Sequence, residues 1–224
     1  MSETDDSEGC GVNNSICSDK KIILSEINMK NNDEMIKKDI IEIISDLFNN
    51  ICQENKIKKK KNNPFQHLVL ILIKSFISNN IPSISIKDSL SRLIKHSQVN
   101  ISTIILILIY IDRICKINHF FLTYYNIHKL LLAGFILAVK YNEDYYYSMI
   151  FYSRVGGVTI GELKKLEFEF FLLIRYNLYV NENLYDKYYN DLMSLKSDTE
   201  DEYESDESEE DSNDIIEDKH NIIS

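Results

Sequence analysis

Few residues in this chain are placed to do chemistry, and the two best placed are charges in apolar surroundings. Wound at 100° per residue, the segment 160–176 gathers Leu163, Leu166, Phe170, Phe171, Leu173 and Ile174 into one apolar arc with Glu167 inside it. A carboxylate there is costly unless a partner meets it. The apolar run LLLAGFILAVK closes on Lys140, with Glu143 and Asp144 just beyond, so that end must reach water or a partner. Asp112-Arg113 ends a second apolar run. An arginine there satisfies orphan helix carbonyls and complements the dipole, or faces a partner.

Catalytic and metal-binding patterns are not found. His67, His96, His119, His128 and His220 and the four cysteines show neither CxxC nor HxxxH spacing, which argues against a metal site. Gly156-Gly157 with Gly161 superficially suggests a phosphate loop. No strand precedes it and no Gly-Lys-Ser/Thr lies within it, so it reads as a helix stop and start. No Gly-x-Ser-x-Gly occurs. Neither catalytic residues nor a cofactor are expected. Ser197, Thr199 and Ser208 each have an acid three residues on, which suits an acidophilic kinase such as casein kinase II; the alternative is a solubilising tail.

The elements that must position these residues are helical. The chain has 224 residues, two prolines and six glycines, which disfavours a turn-rich sandwich or barrel. Residues 1–32 are polar and weakly periodic and are expected to be disordered. Met35, Ile36, Ile40, Ile43, Ile44, Leu47, Phe48 and Ile51 predict an amphipathic helix over 33–54. The run KIKKKKNN reads as a solvated linker or, alternatively, a nuclear-localisation or nucleic-acid patch. Asn63, Pro64 and Gln66 open a helix to about Ser78. Ser85 with Asp88 opens 86–96, and 101–115 follows.

Thr123 is expected to cap the helix that runs to Asn142, which is apolar nearly all round and so must be surrounded by other elements. Ala133, Gly134 and Ala138 allow close approach to it. YYYSMIFYSRV (145–155) predicts a short helix stopped by Gly156-Gly157, and Thr159 with Glu162 forms a capping box for 160–176. A last helix over 183–195 precedes an acidic disordered tail.

The net charge of −10 is unevenly spread. Residues 197–218 hold thirteen acids and residues 1–10 another four; without these and Lys219, residues 11–196 carry +6. The N-terminus MSETDDSEG is no signal peptide and the cysteines lack a disulfide pattern, so an intracellular protein of nucleus or cytoplasm is expected. The strongest apolar run, ISTIILILIYI, falls short of the roughly 20 residues a bilayer span needs.

Four separated motifs, PSISIKDSLSRLIKH (82–96), IYIDRI (109–114), NIHKLLLAGFILAVKYNEDYYY (126–147) and FYSRVGGVTIGELKKLEFEFF (151–171), resemble the cyclin box of the fungal phosphate-system cyclins and the P- or U-type cyclins of plants and protists. The resemblance implies an all-α protein: a five-helix box over 82–178 with a buried third helix, N-terminal helices and a basic linker over 33–81, a C-terminal helix over 179–196 and a tail over 197–224. It implies a non-catalytic partner that binds and activates a cyclin-dependent kinase.

By the same resemblance, Lys140 and Glu167 are the pair presented to the regulatory helix of the kinase, and Asp144 with Tyr146 belongs to an acidic-plus-tyrosine segment that contacts the kinase or closes the groove. Asp112, Arg113, Gly156, Gly157 and Thr159 carry structural motifs. An internal Lys140–Glu167 ion pair with no external role is the alternative.

The helix IKDSLSRLIKHS lacks the Met-Arg-x-x-x-Leu patch by which cell-cycle cyclins recruit substrates, and Ser148 and Met149 stand where the P/U group usually has asparagines. A cyclin-fold scaffold, or a nucleic-acid-associated protein like transcription factor IIB, is the competing reading. The absence of Arg before Arg92 and of basic residues interleaved with aromatics argues against nucleic acid.

Overall fold

The computed structural model describes residues 13–57 and 72–206, with side chains over 31–56 and 72–196. The described residues form seven α-helices and no strand: α1 (Asn13–Ile57), α2 (Ile86–Ser97), α3 (Ile101–Asn118), α4 (Ile127–Asn142), α5 (Met149–Gly156), α6 (Ile160–Leu173) and α7 (Glu182–Asp206). A 3₁₀ turn, Lys74–Phe76, precedes α2. The helix expected from Pro64 lies mostly outside the described residues, as do the lysine run after Ile57, residues 1–12 and the tail from 207. The part of it that is described closes as the 3₁₀ turn.

Both outer helices exceed their expected lengths. α1 starts at Asn13 rather than Asp33, which corrects the expectation of a disordered segment to residue 32. No Gly or Pro occurs between Gly11 and Pro64, so a helix nucleated on the apolar stripe has nothing to stop it. α7 runs to Asp206, into the acidic segment expected to be disordered, for the same reason: no Gly or Pro follows Gly161.

α4 is the axis of the fold. Every residue from Leu130 to Val139 is buried, and α3, α6 and α2 pack around it. Gly134 is required by contact rather than by conformation. A β-carbon there would meet the Phe170 ring at 3.1 Å. The cap of α4 is Asn126 rather than the expected Thr123, and its side chain does not cap the helix. Its Oδ1 instead accepts from Thr123 N–H at 2.9 Å and its Nδ2 donates to the Phe121 carbonyl, which closes the preceding turn.

Side-chain caps place the other starts. Ser85 Oγ accepts from Asp88 N–H at 2.9 Å. Ser148 Oγ accepts from Phe151 N–H, so α5 begins at Met149 and leaves Tyr145–Tyr147 outside the helix predicted for them. Thr159 Oγ1 accepts from Glu162 N–H at 3.2 Å, while Glu162 turns to Lys129 at 2.9 Å instead of completing the capping box. Gly157, at φ +68°, ends α5 in the left-handed region that glycine enters without steric cost. α6 ends at Leu173, three residues early, because Arg175 and Tyr176 both turn to positive φ.

The IYIDRI motif fastens the C-terminal part of the chain to α3. Tyr110 donates to the Leu178 carbonyl at 2.9 Å, and Arg113 donates to the carbonyls of Asn177 (2.5 Å) and Tyr179 (3.1 Å). Asp112 accepts from the Tyr188 hydroxyl on α7 and pairs with Lys116 at 2.7 Å. Arg113 thus satisfies orphan carbonyls of the α6–α7 connection rather than those of its own helix. Burial pushes the Tyr188 phenol well above its ordinary range, and the hydrogen bond to Asp112 adds to this.

Cys52 on α1 is buried and Cys115 on α3 is half-buried. Burial pushes the Cys52 thiol up to about 11; burial, then Asp112, pushes Cys115 up to about 12. Neither forms appreciable thiolate near neutrality. Iodoacetamide labelling at pH 7.5, resolved by peptide mass spectrometry, is expected to spare both cysteines in the native protein and modify both in urea.

Candidate functional site

The C-terminal end of α4 and the middle of α6 meet side by side. Lys140 Nζ lies 2.5 Å from Glu167 Oε1, with 31% and 19% of the two side chains exposed. Glu167 therefore has the partner that its apolar position demands. It sits at the edge of the buried arc rather than inside it. Leu163, Leu166, Glu169, Phe170, Leu173 and Ile174 are buried, whereas Glu167 and Phe171 are half-buried. The more deeply buried carboxylate is Glu169, which the sequence reading overlooked. Its Oε1 accepts from Ser75 of the 3₁₀ turn at 3.1 Å, and its Oε2 has no hydrogen-bond partner among the described residues.

Of the two acids after α4, one is committed to the fold and the other is not. Glu143 clamps the start of α3: its carboxylate accepts from Asn100 N–H (2.8 Å), Asn100 Nδ2 (2.7 Å) and the Thr103 hydroxyl. The negative charge faces the positive end of the α3 dipole. Glu143→Ala is expected to lower stability by about 1–2 kcal/mol in urea unfolding, the cost of a charged cap. Asp144 is exposed, and among the described residues no hydrogen bond ties it down. Tyr145, Tyr146 and Tyr147 follow, exposed to 93, 55 and 45%. Tyr147 stacks on Phe151 at 4.2 Å between centroids and its N–H donates to the Tyr152 hydroxyl, which turns the segment back onto α5.

The expected residues therefore fall into three groups. Lys140 and Glu167 are brought into contact. Asp144 and Tyr146 lie on the segment leaving α4, near the pair in the chain but not bonded to it. Asp112, Arg113, Gly156, Gly157 and Thr159 fasten or terminate helices. Ser197 and Thr199 fall on the last turns of α7, where side chains are outside the described residues, and Ser208 lies beyond them. Exposed aromatics follow each member of the pair in the chain, Tyr141 after Lys140 and Phe168 after Glu167, at 50 and 61% exposure.

The profile of the cyclin family matches residues 34–178. The chain belongs to the cyclin family. The match reaches upstream of residue 82, where the motifs begin, and takes in most of the buried stripe of α1.

Among curated proteins, this cyclin is 39% identical over 121 residues to the PHO85 cyclin-like protein psl1 of Schizosaccharomyces pombe, covering 53% of this chain and 49% of that one. It is 33% identical over 114 residues to Cyclin-U2-2 of Arabidopsis thaliana, half of each chain. It is 28% identical over 176 residues to PHO85 cyclin-7 of Saccharomyces cerevisiae, covering 71% and 62%. The cyclin thus spans about half the length of the first two relatives. Among the described residues no helix is long and apolar enough to cross a membrane.

Proposed function

We propose that this cyclin is the non-catalytic regulatory subunit of a cyclin-dependent serine/threonine kinase, and that the face around Lys140 and Glu167 receives the regulatory helix of the kinase. The half-buried ion pair at 2.5 Å on adjoining helices carries this reading. An ammonium and a carboxylate held side by side bond the carbonyls and amides of a docked helix without demanding a particular side chain from it. Tyr146 and Asp144 extend the face. The PHO85-cyclin names of two relatives point the same way.

Activation on this reading is a population shift: the face binds the kinase's helix more tightly in its active position than elsewhere, and the difference in affinity sets the extent of activation. The nucleic-acid alternative is not favoured, because Arg113 is spent on backbone carbonyls and the relatives are cyclins.

The test is affinity capture from native lysate with the full chain, followed by mass spectrometry and by phosphate transfer from labelled ATP. A captured cyclin-dependent kinase whose activity rises with added cyclin is the expected result. Saturating capture without any such kinase overturns the reading.

A further inference from the structure

On another side of the box, a groove of about 560 Å³ runs between α1 and α2. Buried Ile41 and Ile94 form its floor, and Lys37, Lys38 and Lys95 line its sides, where their carbon stems add apolar surface. Most charges along this seam are answered. Lys37 pairs with Glu34 at 3.1 Å, and Glu42 pairs with Lys87 at 2.5 Å. Lys38 and Lys95, both exposed, have no ion-pair partner among the described residues. The groove is therefore cationic at its rim and apolar at its base, which suits an acidic segment carrying one or two aliphatic side chains.

The chain supplies such a segment close by. Residues 207–218, ESEEDSNDIIED, hold seven acids, no Lys or Arg and one apolar pair, Ile215-Ile216. They follow α7, which lies antiparallel to α1. Tyr188, Leu192 and Leu195 share a cleft with Leu47, Ile51 and Asn55, and Lys196 Nζ lies 2.8 Å from Asp39, the neighbour of Lys38 in the chain. From that bridge α7 runs on for ten residues, about 15 Å.

Nine further residues bring Ile215 anywhere within about 30 Å of Asp206. That exceeds the return of about 15 Å, even with a helix diameter of about 10 Å to pass around. The lysine run 58–61 is out of reach of the same residues. It follows the opposite end of α1, and that end lies about 40 Å from Asp206 along the two helices.

We propose that residues 207–218 dock in the α1–α2 groove of the same chain, with Ile215-Ile216 over Ile41 and Ile94, and Asp214, Glu217 and Asp218 against Lys38 and Lys95. Exposed ion pairs are individually weak, and tethering makes up the difference: a segment held this close meets the groove at an effective concentration in the millimolar range. The consequence is autoinhibitory. An acidic stretch on another protein gains the groove only by displacing the chain's own. The inference is independent of the kinase role.

The test is zero-length carbodiimide cross-linking of the full chain at low salt, on an equal mixture of isotope-light and isotope-heavy protein, read by peptide mass spectrometry. Cross-links from Lys38 or Lys95 to Asp214, Glu217 or Asp218 within one isotope are expected, and about 0.5 M salt should reduce their yield roughly fivefold. Ile215→Ser with Ile216→Ser keeps every reactive group and should lower the yield by a similar factor. In fluorescence anisotropy, a labelled peptide of sequence 207–218 should bind that full-length variant roughly fivefold more tightly than it binds the wild type, whose own segment competes. Lys38→Glu with Lys95→Glu, folded by circular dichroism, should bind the peptide in neither case.

Cross-links only between isotopes overturn the proposal and assign the groove to a second copy. Cross-links confined to Lys58–Lys61, or none, also overturn it. So do an unchanged yield in the serine variant and equal peptide binding by variant and wild type.

Discussion

Reversing either charge of the pair, by Lys140→Glu or Glu167→Lys, is expected to abolish kinase capture, and exchanging the two in one protein is expected not to restore it. The exchange separates the two roles the pair can play. An internal staple depends only on opposite charges at 2.5 Å, and the double variant retains them. A docking clamp presents the ammonium at one place and the carboxylate at another, and the double variant inverts that presentation.

The size of the effect follows from what is left unpaired. Losing one partner of a hydrogen-bonded charge pair in an interface costs about 2–5 kcal/mol, or roughly 30-fold to several-thousand-fold in Kd. The cost to the fold is smaller, below about 1 kcal/mol after solvent screening of side chains exposed to 31% and 19%. Surface plasmon resonance with the captured kinase reads the first quantity and thermal melts the second. Restoration of binding by the exchange would assign the pair a purely internal role.

The largest expected loss of stability belongs to Phe170→Ala. Phe170 is fully buried where α6, α4 and the 3₁₀ turn converge. Its ring lies against Gly134 and meets Phe76 edge-on, with centroids 6.4 Å apart. Removing it opens a cavity that neither side can fill, since Gly134 has no side chain and Phe76 is fixed on a short turn. A loss of about 4 kcal/mol is expected in urea unfolding, within the range for buried phenylalanine truncations. Gly134→Ala alone is expected to be mildly destabilising, because the new methyl presses on the ring. In the Phe170→Ala background its sign should reverse, a coupling that a double-mutant cycle measures.

The helical plan was legible because the signals behind it are local. Ser85, Thr159 and Gly157 act where their side chains or lack of one require, and the encircled α4 follows from an apolar run with no wet stripe. Residues whose roles depend on distant chain were not legible. Glu143 reads as part of a charged break but caps a helix that begins some forty residues earlier. Glu169 reads as surface until the 3₁₀ turn covers it. Glu167 shows the resolution of the method: ideal winding put it inside an arc whose true edge lies beside it. The pairing of Lys140 with Glu167 came from resemblance to a family, since no spacing rule joins residues 27 apart.

The fastening of residues 177–188 to the IYIDRI motif also sets an order of events during synthesis. Tyr110, Asp112 and Arg113 find their partners 64 to 76 residues downstream. At about 5–20 residues per second, a ribosome takes roughly 4–15 s to deliver Tyr188 after Arg113. Until then Leu108, Ile111 and Cys115, which line one cleft with Tyr188, Leu192 and Leu195 of α7, face an unfinished neighbour. The nascent chain therefore carries an apolar α3 surface through part of its translation, and α7 arrives only near the end of it. Chaperone occupancy on ribosome-bound chains should accordingly peak after α3 emerges and fall once residue 195 clears the exit tunnel.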